Sequence, residues 1–336
     1  MYKRQIIKYP NFPIIKQSVN LELTNHELPK FFYDSTPCPY RQKGGSVEAE
    51  KLLQSFLNKR GENYQFEMSS PITAEKSCSR LSTHLTYGTI SHRAVFQEAT
   101  KKRDQIKHTN KNFAKSINSF LSRLHWRSHF IQKLEDQPSI EHTSFIPVYD
   151  QIREKDEEKL EAWIEGKTGV HFIDACMIYL RNYGWINFRM RAMLASFASY
   201  NLWLDWRYFA PRLAALFTDF EPGIHYSQIQ MQSGTTGINT IRMYNPYKQA
   251  MDQDPLAKFI KSQIPEVKNF PPAFFHNPPK KSLNVNLFDN EVQKEIINVK
   301  ETAQYARKKI FDIRKSQEHK ILAKNVYLKH GSRGRS

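Results

Sequence analysis

The chain reads as mainly α, with strands at most minor, and three observations carry that reading. Apolar residues recur at three- and four-residue steps through "NFAKSINSFLSRLHWRSHFIQKLE", at Phe113, Ile117, Phe120, Leu121, Leu124, Phe130 and Ile131. That is the period of a helix with one face in a core. Helix starts multiply after residue 45: Ser46 precedes Glu48 and Glu50, acids that the positive end of a helix dipole favours, and Ser91 opens "HRAVFQEATKKR" in the same way. No period-two alternation of apolar and polar residues runs between turn signals, so no segment reads as a strand.

In order along the chain, residues 1–45 are broken by Pro10, Pro13, Pro29, Pro37, Pro39 and the pair Gly44-Gly45, and read as an extended lead-in. Residues 46–267 carry the helical patterning and read as one helical domain. From Lys268 the texture changes to "NFPPAFFHNPPKK", a Pro-punctuated connector, followed by a basic helix expected from about Asn290 to Lys329 and a polar "HGSRGRS" end.

Composition narrows the function classes. With 336 residues, 40% of them hydrophobic and 13% aromatic, the chain can bury a large core. No run approaches the roughly 18 apolar residues of a membrane span, and the first thirty residues lack a charged-then-apolar secretory layout. The three cysteines, Cys38, Cys78 and Cys176, form neither a disulfide framework nor a C-x-x-C pair, and the twelve histidines give no H-E-x-x-H motif. A reduced compartment, cytosol or nucleus, and no catalytic metal are the expectation. The net charge of +17 makes a polyanion the expected partner, DNA first, since a surplus of Lys and Arg attracts nucleic acid at long range whatever the fold. Residues 268–336 hold 15 Lys/Arg against 6 Asp/Glu, so over half of the surplus sits in the last fifth of the chain.

Four ordered blocks carry the most specific signal: Thr168, Gly169, Asp174, Ala175 and Met177; Gly184, Trp185, Arg189 and Arg191; Ala195 to Phe197 with Leu202 and Asp205 to Arg207; and Ser233 to Thr235 with Arg242, Asn245 and Pro246. In these blocks the chain resembles the FAD-binding, all-helical half of the photolyase/cryptochrome family. The similarity begins near Gly44-Gly45 and extends to about Pro265-Glu266, roughly two thirds of the sequence. The family's Rossmann-like antenna domain is not expected, because residues 1–43 are too short for a doubly wound unit and hold no G-x-G-x-x-G loop.

The resemblance implies FAD as cofactor and assigns residues to it. "CSRLS", Cys78, Ser79, Arg80, Leu81 and Ser82, matches the loop that binds the FAD phosphates, and small hydroxyls beside backbone N–H groups suit an anion. Tyr64 matches an aromatic that reaches the cofactor, and Arg127 an arginine that pairs with its phosphates. Trp126 matches the floor of the cavity over the flavin. Asn187 and Phe188 fall where the family faces the flavin N5, and Phe188 takes the place usually held by Asn. Arg191 matches the arginine beside the isoalloxazine ring, where a fixed cation stabilises reduced states. Its usual aspartate partner is replaced by Asn201, so a less compensated charge is expected, while Asp219 is assigned to the flavin ring.

Other departures touch the chemistry. Arg123, Ala192 and Ile229 stand where the family contacts a flipped pyrimidine dimer, and an aromatic stack lost there weakens base binding by about 1–3 kcal/mol. Trp206 keeps the middle place of the photoreducing tryptophan chain, whose neighbours fall at Ser227 and Arg153, with Tyr226 and Trp203 as candidate substitutes. His225, Gln228, Gln230 and Gln232 are candidates for a polar wall at the flavin or substrate. The resemblance therefore implies a DNA-binding flavoprotein with light-driven electron transfer to damaged DNA, a light-dependent carbon–carbon lyase with Trp126, Trp206 and Phe188 at the chemistry. Two alternatives stay open: a cryptochrome-like blue-light photoreceptor and a non-catalytic flavin module.

Overall fold

Several helices begin at side-chain caps, and others end at the left-handed glycines Gly166, Gly184 and Gly234. The computed structural model describes residues 37–277 and 294–330; the predicted lead-in before residue 37, the heart of the Pro-rich connector and the polar end lie outside the described residues. The first helix, α1, spans Ser46–Ser55 and runs on through a π-helical turn, Phe56–Arg60. Its cap is Gly45 rather than Ser46, which is already helical. Four short or medium helices follow: α2 (Tyr64–Glu67), α3 (Pro71–Ser77), α4 (Ser82–Thr86) and α5 (His92–Ile106). Ser91 caps α5 as its sequence predicts, accepting from the Ala94 N–H. The predicted core-facing helix is α6 (Lys111–Asp136), longer than its apolar period because Asn110 caps it, accepting from the Phe113 N–H.

The centre of the molecule is built from α7 (Glu157–Glu165), α8 (His171–Tyr183), α9 (Phe188–Ser196), α10 (Trp206–Ala215) and α11 (Pro222–Ser233). The largest hydrophobic cluster lies among them, including the fully buried Trp163, Phe172, Phe197, Trp206 and Phe209. A second π-helical turn, Phe197–Asn201, extends α9. After these come α12 (Pro246–Gln253), α13 (Lys258–Gln263) and α14 (Pro272–His276). Among the described residues β pairing amounts to one isolated bridge, Glu154 to Leu204, and no helix is long and apolar enough to cross a membrane.

The blocks that carry the resemblance are largely punctuation of this architecture. Asp174 accepts from the Thr168 N–H and hydroxyl and from the Gly169 N–H at 2.7–2.8 Å, which ties the turn before α8. Gly169 needs its left-handed φ of +79°, and a Cβ there would lie 2.4 Å from the Lys294 backbone. Asp205 caps α10 through the Arg207 N–H, and the Arg207 guanidinium returns to the Asp205 carboxylate. Asn245 caps α12 with Pro246 in its first turn.

The single basic helix expected from Asn290 is two helices, α15 (Val299–Lys315) and α16 (Gln317–His330). Asn298 caps the first through the Lys300 and Glu301 N–H groups. The break comes at Ser316, which turns extended and accepts from the His319 N–H, so one residue closes α15 and caps α16. Both pack inward, with Ala306, Ile310 and Val326 in a cluster with Ile140, Phe145, Ile146, Tyr149 and Tyr200.

Candidate functional site

The π-helical turn after α1 delivers Arg60 beneath the Cys78–Ser82 loop. Its guanidinium donates to the Cys78 and Ser79 carbonyls of the loop, and to the Leu52 and Lys76 carbonyls and the Ser55 hydroxyl of the flanking helices, so the loop is tied to α1 and α3 from one side. Within the loop the Ser79 hydroxyl accepts from the Leu81 N–H, Leu81 is fully buried, and Arg80 takes a left-handed φ of 63°. Helix α4 starts at Ser82 with Leu81 in the cap position and no side chain on its first N–H groups. The loop thus presents backbone donors and two serine hydroxyls on a rigid base.

Arg80 turns its guanidinium over the Trp185 ring at 3.8 Å, and its Nη1 is buried with no hydrogen-bond partner. Burial lowers its pKa, with Tyr179, Glu75 and Asp219 among the groups that pull it back up. Nearby, burial pushes the Cys78 thiol up to about 12 against the pull of Arg80, Arg60 and Arg191, so Cys78 is a neutral wall residue among three arginines. Burial likewise raises the Tyr64 phenol, which packs on Phe56 and Phe120 within reach of Arg123.

Arg191 is the second fixed cation. Its terminal nitrogens meet the two Asp219 oxygens at 3.0 and 2.8 Å, its Nε donates to the Ile186 carbonyl, and its guanidinium lies 4.2 Å over the Phe217 ring. This corrects the expectation of a less compensated charge. Arg191 is compensated, because the 217–221 loop brings Asp219 to it in a bidentate fork, and Asp219, expected at the flavin ring, is here the partner of the arginine. Asn201 is elsewhere, donating to the Val299 carbonyl and the Thr302 hydroxyl, where it anchors α15. The loop is held by Thr218, which donates to the Gly184 carbonyl, and by Thr86, which donates to the Asp219 carbonyl.

Asn187 precedes α9 and is buried. Its Nδ2 donates to the Met68 and Ser69 carbonyls, which fixes the amide orientation and leaves Oδ1 buried with no partner. Phe188, the next residue, is 51% exposed. Arg127 finds a protein partner, Glu221 at 3.1 Å, and also donates to the Leu85 carbonyl, so its guanidinium is not held free for an anion. Trp126 stands on the outer face of α6, 45% exposed and stacked on Phe130 at 5.6 Å. Ala192 and Ile229 are buried, and Arg123 is exposed.

Trp206 is buried behind this region, its Nε1 donating to the Ser144 hydroxyl. Rings connect it to Arg191: Trp206 to Tyr226 at 6.4 Å, Tyr226 to His225 at 5.3 Å, His225 to Phe217 at 6.2 Å. Burial pushes His225 down to about 4, so it is a neutral imidazole at neutral pH, with Nε2 2.9 Å from the Ala210 carbonyl. Gln230 belongs to no polar wall. It is fully buried, accepts from the Phe145 N–H, and donates to the Ile140 and Thr143 carbonyls, locking the 140–145 segment to α11. Arg60 is the residue that sequence reasoning missed; no motif marks it, and only the π-helical turn shows where it points.

Tyr64, Cys78, Arg80, Arg191 and Asp219 are thus one neighbourhood, Arg127 joins α4 to the 217–221 loop beside it, and Trp126 and Phe188 stand toward its outside. The residues fit FAD: a buried guanidinium nitrogen without a partner suits a phosphate or ring oxygen, and the orphaned Asn187 Oδ1 suits a ring N–H.

The comparisons with known proteins agree with this geometry. A family profile described as the FAD binding domain of DNA photolyase matches residues 120–324. A deoxyribodipyrimidine photo-lyase of Streptomyces griseus is 29% identical over 243 residues, 72% of this chain and 50% of that protein. Cryptochrome-2 of Arabidopsis thaliana is 32% identical over 70% of this chain and 39% of its own length. A crystal structure of an archaeal photolyase from Sulfolobus tokodaii, with two FAD molecules, superposes with a TM-score of 0.64 at 30% identity over 81% of this chain and 57% of that one. The chain spans about half the length of the curated photo-lyases it matches. It belongs to the photolyase/cryptochrome family, whose FAD-binding helical domain it covers.

Proposed function

We propose that the protein is a DNA-associated flavoprotein of photolyase type. The observation that carries this reading is the grouping of Arg80, Asn187 and the Arg191–Asp219 fork around the Cys78–Ser82 loop, with buried polar atoms left for a ligand. Bound FAD supplies light absorption and one-electron transfer. The chain's own residues do the rest. Ser79, Ser82 and Arg80 hold the phosphates on a loop that Arg60 keeps rigid. Asp219 and Phe217 keep Arg191 at a fixed place, so its positive charge needs no rearrangement as charge develops nearby. The half-exposed Trp126 offers a stacking face for an unpaired base, and the +17 surplus draws the duplex.

A second reading, the blue-light photoreceptor, is favoured by Ala192 and Ile229, buried at the places expected to contact a flipped base, where neither offers an aromatic stack. An absorption spectrum of the purified protein, taken before and after blue light with a thiol, followed by illumination with dimer-containing duplex, tests both. Flavin bands, bleaching and loss of the dimer are expected. Bleaching without dimer loss selects the photoreceptor, and a colourless protein that takes up no added FAD refutes the flavoprotein reading altogether.

A further inference from the structure

The face of α6 that carries Trp126 continues past it. Residues 126, 130 and 133 lie on one side of the helix, at steps of four and three. Trp126 stacks on Phe130, with His129 at 5.7 Å, and the Lys133 ammonium lies 5.5 Å from the Phe130 ring and 5.9 Å from that of Phe145. The last turn of α16 joins this row. His330 packs edge-on to Phe145 at 5.2 Å, and Gln137, one residue past α6, lies 2.9 Å from the His330 Nε2 and accepts from the exposed Lys329 at 3.4 Å. The cations of the row are Lys133 and Lys329, since burial and the neighbouring Lys133 both hold His129 toward its neutral form. Among the described residues the Lys329 ammonium meets the Gln137 amide oxygen and no carboxylate.

The family match ends at residue 324, so Lys329 and His330 lie beyond it. We propose that the last turn of α16 is a phosphate-gripping edge of the nucleic-acid surface whose stacking platform is Trp126. The proposal rests on the DNA reading above and deepens it. An exposed indole with cations displaced along one line from it has the make-up of a strand-binding surface, where bases stack on the aromatic and the backbone follows the positive charges. The net charge of +17 fits the same anionic partner.

The test is the salt dependence of binding, read by fluorescence anisotropy on the full chain with a labelled duplex carrying one unpaired thymine. Each phosphate neutralised contributes roughly 0.9 to the log–log slope. Lys329→Ala and Lys133→Ala should each lower the slope by about that amount, and Lys329→Arg should restore it. Trp126→Ala should leave the slope intact and cut the preference for the unpaired-base duplex by about 5- to 150-fold. Lys329 is exposed, so its variants should keep the wild-type circular dichroism; Lys133→Ala counts only alongside that control. A wild-type slope in Lys329→Ala overturns the proposal while leaving the DNA reading standing. Absence of salt-dependent binding by the unmodified chain overturns both. Loss of binding to phosphatidylserine vesicles in Lys329→Ala, with an unchanged DNA slope, assigns the edge to a membrane and also overturns it.

Discussion

Replacing Asp219 by Asn tests the centre of the candidate site. The Asp219 side chain is 3% exposed and that of Arg191 26%, and the two share hydrogen bonds of 3.0 and 2.8 Å. Removing one partner of a buried ion pair costs about 3–5 kcal/mol. Arg191 keeps some contact with water and an amide oxygen can retain one of the two bonds, so the expected loss is about 2–3 kcal/mol. For a chain of this size, at roughly 2 °C per kcal/mol, the apoprotein should melt about 4–6 °C lower. The assay is thermal melting of flavin-stripped wild type and variant, with FAD titration followed by the flavin absorbance. FAD affinity should fall in addition, because Arg191 loses the group that orients it. A double variant with Arg191→Met should be no less stable than the worse single variant, since the interaction is already gone. An apoprotein melting within about 1 °C of wild type, with undiminished FAD uptake, would refute the pairing as the organiser of the site.

Three further outcomes are expected. Ser79→Ala with Ser82→Ala, and separately Arg80→Met, should lower the ratio of flavin to protein absorbance; a double-serine variant that purifies with full flavin sinks the phosphate-cradle assignment. Photoreduction by blue light and thiol should be slowed by Trp206→Phe and by Tyr226→Phe to similar extents, since the two rings touch at 6.4 Å, and an all-or-none loss from Trp206→Phe alone would show that the route does not continue through Tyr226. Burial holds His171, His225 and His330 down at about 4, below the ~6.5 of an unfolded chain; in that window the unfolded state binds more protons, so stability rises with pH and is lost on acidification from about 6.5 toward 4. Denaturant melts of His225→Gln should show a flatter acid limb, by at most about 3 kcal/mol, and an unchanged limb would mean that His225 is not buried as a neutral group.

Much of the fold was legible because its signals are local. Ser91 sits beside the helix it caps, and the apolar steps from Phe113 to Ile131 lie within α6. Local reading failed where a break or an irregular turn carries no strong signal, and where a pairing is decided by distant partners. Ser316 breaks the basic C-terminal helix in two, where a high density of Lys and Arg with good helix propensity gave no stop signal. The two π-helical turns leave no pattern that a period of 3.6 residues can register. In the candidate site the residue types of the loop were legible, while the pairing of Arg191 was not: the choice between Asn201 and Asp219 depends on how the 217–221 loop closes on Gly184, and that is fixed by Thr218, a residue without a motif.

The blocks by which the chain resembles its family divide into two kinds, and the division bears on what the resemblance can carry. Asp174, Gly169, Asp205 and Asn245 cap helices or tie turns, so they would be needed by this architecture whether or not light is used. Arg80 and the Arg191–Asp219 fork serve no such end, and Asn187 ties the Met68 and Ser69 carbonyls through its nitrogen while leaving its oxygen unused. Arg80 and Asn187 each keep a buried polar atom without a partner, at a cost of about 1–3 kcal/mol per group that the fold alone does not require. A ligand that satisfies them would recover that cost, which is why flavin occupancy is the measurement that precedes any assay of repair. Phe188 and Trp126 are exposed and free of such obligations, so the chemistry beyond the cofactor can differ from that of the photo-lyases without disturbing the site that holds it.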